Sequence, residues 1–243
     1  MSSSRPVFLF TDFGYSGPYV GQMTAAIMAV APEARVINLM HDAPSMRPDL
    51  AAYLLAACFR LLPVGSVVVA VVDPGVGGER DALMVEARGL TLIGPDNGLL
   101  SRIPGIDAVQ RIDWRPEVLS PSFHGRDLFA PAAAMTVLAE RVPGTAMATE
   151  RMIGSDWSED LFQLVYVDGF GNLVSGIAGK NINKNNLVHA AGRAVAYAET
   201  FCRVPPGQLF WYVNSLGLVE IAANGRSAAA MLPLALGDRI LLD

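Results

Sequence analysis

Acidic side chains stand directly after three short apolar runs of the sequence, and each could help to bind a small molecule. They are Asp12, the pair His41-Asp42, and Asp73. In open α/β sheets, ligands bind outside the carboxyl ends of the strands. A carboxylate there can accept two hydrogen bonds from a vicinal diol, which makes Asp12 a candidate clamp for a ribose. The alternative is that Asp12 is a turn residue or a cap for the following helix.

A glycine-rich segment carries the second candidate group. Asp73 begins the stretch DPGVGGER, which ends at Arg80, and glycines between them would let the backbone approach a ligand closely. The stretch is not a Walker loop, and it lacks the GxGxxG spacing, so phosphate binding is disfavoured. The alternative is a glycine-rich hairpin with a surface ion pair between Arg80 and Asp73 or Glu79.

His124 is the third candidate, and it lies in the segment PSFHGRD just ahead of a predicted helix. It can act as a site residue, or it can simply make capping and packing contacts. The chain has only three histidines, and no spacing suggests a zinc site, so we expect no metal. The sequence also lacks a GxSxG motif, so no serine is indicated as the nucleophile of a serine hydrolase.

Two further segments are predicted to be turns, and the sequence does not assign either of them a single role. The stretch GPDNG at 94–98 is a turn that can start a helix, with Asp96 or Asn97 as its cap. The stretch DGFGN at 168–172 predicts a hairpin turn, although its Phe and Asn could equally stack on and hydrogen-bond a purine.

Alternating strands and helices position these groups in the first part of the chain. The run SVVVAVV at 66–72 is typical of a strand that is buried on both faces of a parallel sheet. Apolar periodicity predicts an α/β N-terminal domain with a mainly parallel central sheet. The remaining elements are predicted as strands at 6–10, 36–40, 82–86, 90–93 and 108–112, and helices at 19–30, 49–62, 97–102 and 126–138.

Beyond about residue 141 the pattern changes to short alternating strands separated by frequent Gly, Pro and Asn turns. This texture predicts a smaller C-terminal all-β domain. We therefore divide the chain into an α/β domain at 1–145, a linker at 146–160 and a β domain at 161–243.

Composition excludes several classes of protein. Of 243 residues, 52% are hydrophobic and 17% are charged, which argues against disorder, and the net charge of −5 gives no electrostatic footprint for nucleic acid. The longest apolar runs, at 51–59 and 67–72, are too short to span a membrane. The apolar stretch near the N-terminus is too short to be the hydrophobic core of a signal peptide. Cys58 and Cys202 have apolar neighbours and lie far apart in the sequence, so they are expected to be reduced core residues, with a disulfide between them as the alternative. A soluble cytoplasmic protein is expected.

Seven motifs, spread in order over nearly the whole chain, together resemble the S-adenosylmethionine (SAM) hydroxide adenosyltransferases. These are SAM hydrolases of the superfamily that includes the fluorinating and chlorinating enzymes. The motifs are TDFG at 11–14, YVGQM at 19–23, VVDPGVGGER at 71–80, GPDNGLL at 94–100, FHGRDLFAPAAA at 123–134, VDGFGN at 167–172 and NSLGLVEIA at 214–222.

The resemblance implies a fold, a reaction and an assembly. It implies an N-terminal α/β domain, a barrel-like C-terminal β domain, and a homotrimer with sites between one subunit's N-terminal domain and its neighbour's C-terminal domain. The implied reaction is attack of water on C5′ of SAM, which gives adenosine and L-methionine without a cofactor. The halogenating relatives carry a tyrosine where Asp73 stands and a serine where Gly125 stands, so this chain is similar to the hydrolases.

The resemblance also implies roles for individual residues. Asp73, Arg80 and His124 correspond to the Asp, Arg and His that position the water, and Asp12 to the residue that binds the ribose hydroxyls. The residues implied to bind the rest of the substrate are Asp168 and Ser215 for the amino-acid group of methionine, and Asn172, Phe201 and the backbone near Asn224 and Gly225 for adenine.

Two positions depart from the pattern of the family. Many relatives have a second Asp where this chain has Gly17, and the halogenating relatives have an Arg where it has Leu216. Both changes concern the methionine end of the substrate. They keep a second hypothesis open, a non-catalytic module that binds adenosine or SAM. A metal-dependent phosphohydrolase built on His41-Asp42 is a third hypothesis, against a simpler hydrogen-bonding role for this pair at the end of its strand.

Overall fold

In the computed structural model, which describes residues 5–243, the chain divides into two units. The first ends at Trp157 and the second begins at Ser158. No helix in the described part of the chain is both long and apolar enough to cross a bilayer. Each unit has its own apolar core.

A seven-stranded mixed sheet forms the centre of the first unit. Its strands are β1 (Val7–Thr11), β2 (Val36–Met40), β3 (Val67–Val71), β4 (Ala82–Ala87), β5 (Leu90–Pro95), β6 (Ile106–Ile112) and β7 (Gly144–Met147). The order is β2-β1-β3-β5-β4-β6-β7, with parallel pairing from β2 to β5 and antiparallel pairing beyond it. The prediction of a mainly parallel core is confirmed.

The described part of the first unit has three α-helices, which are α1 (Tyr19–Val30), α2 (Pro48–Phe59) and α3 (Ala130–Val137). Side chains of α1 and α3 share one buried cluster with side chains of β1 and β3. Helix α1 buries Met23 and Ile27, which lie one turn apart on a single face. Helix α2 is buried from Leu50 onward, because almost every residue there is apolar. Pro48 stands in the first turn of α2, where its missing N–H costs no intrahelical hydrogen bond.

The predicted helix at 97–102 is wrong, since this segment is a series of turns. Gly98 has a φ of +94°, which is a left-handed conformation. The Asn97 side chain accepts a hydrogen bond from Leu99 N at 3.2 Å and donates one to the carbonyl of Val72 at 2.9 Å. These side-chain bonds compete with helix formation, and they tether the segment to the end of β3.

The second unit contains two antiparallel sheets. Its strands are β8 (Leu161–Val167), β9 (Leu173–Ala178), β10 (Val188–Ala190), β11 (Arg193–Val195), β12 (Leu209–Val213), β13 (Leu218–Ala223) and β14 (Leu241–Leu242), with one short helix, α4 (Ala228–Met231). The sheet orders are β12-β13-β9-β8 and β11-β10-β14. The all-β character is confirmed apart from α4 and single helical turns, and the barrel-like closure stays a prediction.

The expectation that both cysteines are reduced core residues is confirmed for Cys58, and the core position is wrong for Cys202. Cys58 is buried in α2, and burial raises the pKa of its thiol to about 11. Cys202 is exposed. It lies in the helical turn Phe201–Arg203, where the Phe201 ring packs on Phe210 and Tyr212. In this segment it is therefore the Phe201 ring that packs against other apolar side chains, while Cys202 is exposed to solvent.

Candidate functional site

A cavity of about 370 Å³ lies in the first unit, beyond the ends of β1 and β3. The 122–125 segment ahead of α3 supplies a further wall. Among its lining residues are two of the acidic groups that follow predicted strands, Asp12 and Asp73, together with His124. The complete lining is Asp12, Phe13, Tyr19, Ser45, Met46, Val71, Asp73, Val76, Ser122, Phe123, His124 and Gly125.

Asp73, Arg80 and His124 form one hydrogen-bonded cluster, although its first and last members are 51 positions apart in the sequence. The Arg80 Nε lies 3.1 Å from each carboxylate oxygen of Asp73, and Arg80 Nη2 also donates to Asp73 Oδ2. The side chains of Arg80 and Asp73 are 10% and 4% exposed. The expected ion pair is therefore present, but it is buried and not on the surface.

The contact between Arg80 and His124 fixes the state of the imidazole. Arg80 Nη2 lies 3.0 Å from His124 Nδ1, and a guanidinium can only donate, so Nδ1 accepts. His124 is therefore neutral with its proton on Nε2. Burial, and next the positive charge of Arg80, lower the pKa of His124, which agrees with this assignment.

Two loops are packed together to hold the cluster. Gly77 has a φ of +80°, and a Cβ atom there would lie 2.2 Å from the carbonyl oxygen of Pro121. Only glycine allows this approach, which brings Arg80 to His124. His124 is followed by a π-helical turn, Gly125–Phe129. The ring of Phe129 in this turn lies under the Arg80 guanidinium, with 5.1 Å between Arg80 Cζ and the ring centroid.

Asp12 has a structural partner at the same cavity. Its Oδ2 accepts a hydrogen bond at 2.9 Å from the backbone N–H of Met46, whose φ is +57°. Burial raises the pKa of Asp12, and the charge of Asp73 adds to this effect. The alternative that Asp12 only caps the next helix is not seen, because no side chain caps α1.

A smaller cavity, of about 310 Å³, is also bordered by the cluster. Arg80 and His124 both line it, and so does Arg115. His124 therefore lines both this cavity and the 370 Å³ cavity, whereas Asp73 lines only the 370 Å³ cavity.

A cavity of about 740 Å³ lies within the second unit. Five of the six residues predicted there, Asp168, Asn172, Phe201, Ser215 and Gly225, line it. Asn224 does not, and its side-chain amide donates to the carbonyl of Val204 at 2.7 Å. The complete lining is Asp168, Phe170, Asn172, Phe201, Tyr212, Asn214, Ser215, Glu220, Ala223, Gly225, Arg226 and Ser227.

The predicted turn at 168–172 is organised by the carboxylate of Asp168. Its Oδ1 accepts from the backbone N–H of Phe170 at 2.9 Å and of Asn172 at 2.8 Å, and Oδ2 accepts from the side-chain amide of Asn172 at 2.9 Å. The turn thus serves the structure and also presents Asn172 to the cavity. The Phe170 ring is 84% exposed.

Sequence reasoning missed Tyr212, Asn214, Glu220 and Arg226 as lining residues. Glu220 is 4% exposed, and burial raises its pKa. The signal that could have found it is its place in LVEIA, where a carboxylate stands in the middle of an apolar strand.

No three His, Cys, Asp or Glu side chains within residues 5–243 lie in an arrangement that could hold a metal ion. His41 is buried, and its Nδ1 lies 2.8 Å from Thr11 Oγ1. His41 therefore makes a hydrogen bond at the end of β2, which agrees with the hydrogen-bonding role predicted for the His41-Asp42 pair.

Comparison with known proteins gives a consistent result. Residues 7–146 match the family model for the SAM hydroxide adenosyltransferase N-terminal domain, and residues 162–241 match the model for the C-terminal domain of the same family. A relative from Salinispora arenicola is 34% identical over 99% of this chain and 98% of its own length. Another from Thermus thermophilus is 35% identical over 98% of this chain and 99% of its own length. Both are named (R)-S-adenosyl-L-methionine hydrolase.

Solved structures support the same relationship. An uncharacterized conserved protein from Thermotoga maritima has a TM-score of 0.87 and 27% identity, with 98% of this chain and 100% of that chain covered. A conserved hypothetical protein from Thermus thermophilus has a TM-score of 0.79 and 33% identity over 98% of this chain and 100% of that chain.

Proposed function

Because the chain belongs to the SAM hydroxide adenosyltransferase family, we propose that it hydrolyses SAM to adenosine and L-methionine. The observation that carries this proposal is the buried Asp73–Arg80–His124 cluster at the edge of a cavity that Asp12 also lines. The cluster offers an acceptor and a donor for one water molecule, and it has no side chain that could form a covalent intermediate of the serine or cysteine type.

The reaction suits such a cluster. The oxygen of water bonds to C5′, the C5′–S bond breaks, and its electron pair stays on sulfur, which changes from a sulfonium to a neutral thioether. This leaving group needs no proton, so the protein has only to position and polarise the water. In the proposed mechanism, Asp73 accepts the proton of the water and the Nε2–H of neutral His124 orients it. Arg80 holds both groups.

Substrate binding divides between the two cavities in this proposal. Asp12 binds the ribose hydroxyls in the first unit. Asn172, Phe201 and the backbone near Asn224 and Gly225 bind adenine, and Asp168 and Ser215 bind the methionine amino-acid group. In the proposed homotrimer, the first-unit cavity of one subunit meets the second-unit cavity of its neighbour.

The methionine end has fewer charged groups than in many relatives. Gly17 offers no carboxylate, and the Leu216 side chain offers no guanidinium. Recognition of this end therefore rests on Asp168, Ser215 and the groups that hold them. The relatives are named for the (R) epimer at sulfur, and we propose the same epimer as substrate here.

The decisive experiment incubates purified protein with SAM in the presence of EDTA and follows adenosine and methionine by chromatography. Equal amounts of both products, formed at the same rate with and without EDTA, are expected. If adenosine does not exceed the level of a protein-free blank, the proposal is wrong. Calorimetry then separates the remaining cases, because tight binding without product over hours indicates the non-catalytic module.

A further inference from the structure

Glu220 is a buried carboxylate whose contacts are with neutral groups. It lies on β13 directly opposite Tyr212 of β12, and it lines the second-unit cavity. Its Oε1 accepts from the Tyr212 hydroxyl at 2.5 Å, and its Oε2 accepts from the Asn214 side-chain amide at 2.8 Å. Among residues 5–243, no Lys, Arg or His side chain forms an ion pair with it. Hydrogen bonds therefore keep this carboxylate in its buried position.

Asn214 connects Glu220 to the turn that carries Ser215. Its Oδ1 accepts from the backbone N–H of Leu216 at 2.9 Å and of Leu218 at 3.0 Å. Its backbone carbonyl accepts from Gly217 N, and its own N–H donates to Leu218 O, both at 2.9 Å. The amide of Asn214 is thus held at one end by Glu220 and fixes the turn at the other.

The turn presents Ser215, which is exposed and lines the same cavity. A hydrogen bond to a carboxylate is roughly twice as strong as one between neutral groups. The hydrogen bond between Glu220 and Asn214 is therefore stronger than those from Asn214 to the backbone of the turn, and together they set the position of Ser215.

We propose that Glu220 is a positioning residue that, through Asn214, fixes the 214–217 turn and thereby sets the preference of the site for SAM over adenosine. The proposal rests on the proposed function, in which Ser215 contacts the amino-acid group of the substrate. Adenosine lacks that group, so a loosened turn weakens SAM binding and leaves adenosine binding unchanged.

The test measures kcat and KM for SAM together with the inhibition constant of adenosine. Asn214→Ala and Glu220→Leu are each expected to raise KM for SAM about tenfold, the effect of losing one hydrogen bond to a charged group. Neither change should move the inhibition constant of adenosine by more than about twofold. Because Glu220→Leu leaves two donors unpaired, thermal unfolding checks that it folds, and Asn214→Ala provides the same test at a half-buried position.

Three further variants show whether Glu220 acts through Asn214. The double variant should be no worse than the weaker binder of the two single variants, because both remove the same link. Glu220→Gln should restore KM to within about threefold of the wild type, since its oxygen can still accept from Asn214 and its amide can donate to the Tyr212 oxygen. Asn183→Ala is the matched control, because Asn183 also caps a turn, through Asn185 N at 2.9 Å, but lies outside the cavity.

Several outcomes would overturn the proposal. They are equal weakening of SAM and adenosine binding, unchanged constants in both single variants, additive losses in the double variant, and a glutamine variant as impaired as the leucine variant. A wild-type protein that does not turn over SAM contradicts the proposed function itself. If the wild type turns over SAM but the variants show no selective weakening of SAM binding relative to adenosine binding, only the role of Glu220 is contradicted.

Discussion

The cavity of about 370 Å³ in the first unit and that of about 740 Å³ in the second unit both contain a buried carboxylate, but they use it differently. In the first unit Asp73 is paired with the guanidinium of Arg80, and the pair contacts an imidazole. In the second unit Asp168 and Glu220 accept hydrogen bonds from neutral amides and a hydroxyl. The first arrangement places full charges at the position of the proposed reaction, whereas the second uses carboxylates to hold turns in place.

This difference predicts a division of labour. Charges that are buried and preorganised act most strongly on a transition state, because little reorganisation is needed during the reaction. Turns fixed by neutral donors supply shape and directional contacts, which favour binding. Variants of the first cavity should therefore change kcat, and variants of the second should change binding constants.

The largest effect is expected for Asp73→Asn, which keeps the shape of the side chain but removes the proton acceptor. We expect kcat for SAM to fall on the order of 10³-fold, while adenosine inhibits as before. Asp113→Asn is the matched control, because Asp113 forms an ion pair with Arg111 that is largely exposed, and it should change kcat less than twofold. A mutant that keeps wild-type kcat removes Asp73 from the mechanism.

The next largest effect is expected for Phe201→Ala in the second cavity. Its ring packs edge-on against Phe210 with centroids 5.0 Å apart, and loss of an aromatic stacking partner for a base costs about 1–3 kcal/mol. KM for SAM and the inhibition constant of adenosine should therefore both rise about tenfold or more, with kcat unchanged. Phe162→Ala, on β8 outside the cavity, should leave all three constants unchanged. A fall in kcat with unchanged binding would contradict the division of labour.

A smaller effect is expected from pH. Neutral His124 is required because its Nδ1 accepts from Arg80, and burial together with the charge of Arg80 lowers the pKa of His124 below its ordinary value of 6.5. Acidification protonates the ring only when the pH falls through this lowered pKa. The rate should therefore stay level as the pH passes 6.5 and decline only below it. A decline that begins above 6.5 would contradict the neutral assignment.

The smallest effect is expected for Arg115→Gln. Arg115 lines the smaller cavity beside His124, and its charge is a minor cause of the lowered pKa of His124. Removing that charge should move the acid limb of the pH profile slightly toward higher pH without changing the plateau. Arg193→Gln, an exposed change on β11, should leave the profile in place. A shift toward lower pH in the Arg115 variant would have the wrong sign.

Much of the fold follows from local patterns in the sequence. Uninterrupted β-branched residues predict β3, because a strand that is buried on both faces has no polar side. Apolar residues at helical spacing predict α1, because one stripe of it is buried, and the Pro and Gly boundaries predict α2. The segment 97–102 was beyond this reasoning. Its helical spacing is outweighed by the bond from Asn97 to the distant carbonyl of Val72, a contact that no local pattern contains.

The candidate site was predictable in its members but not in its geometry. Local patterns make Asp73, Arg80 and His124 separate candidates, and only the resemblance to a family gives them a common role. Their closeness depends on Gly77 packing against Pro121 across the fold. Glu220 was missed because the β pattern around it is that of an ordinary buried strand. A carboxylate in such a strand needs a partner, and only the structure shows that Tyr212 and Asn214 provide it.

The central claim is that a water molecule held by Asp73, Arg80 and His124 attacks C5′ of SAM. The most direct measurement is turnover in water enriched in oxygen-18, followed by mass spectrometry of both products. We predict one heavy oxygen at the 5′-hydroxyl of adenosine and none in methionine. Adenosine without the label, or label in methionine, would contradict attack of water at C5′.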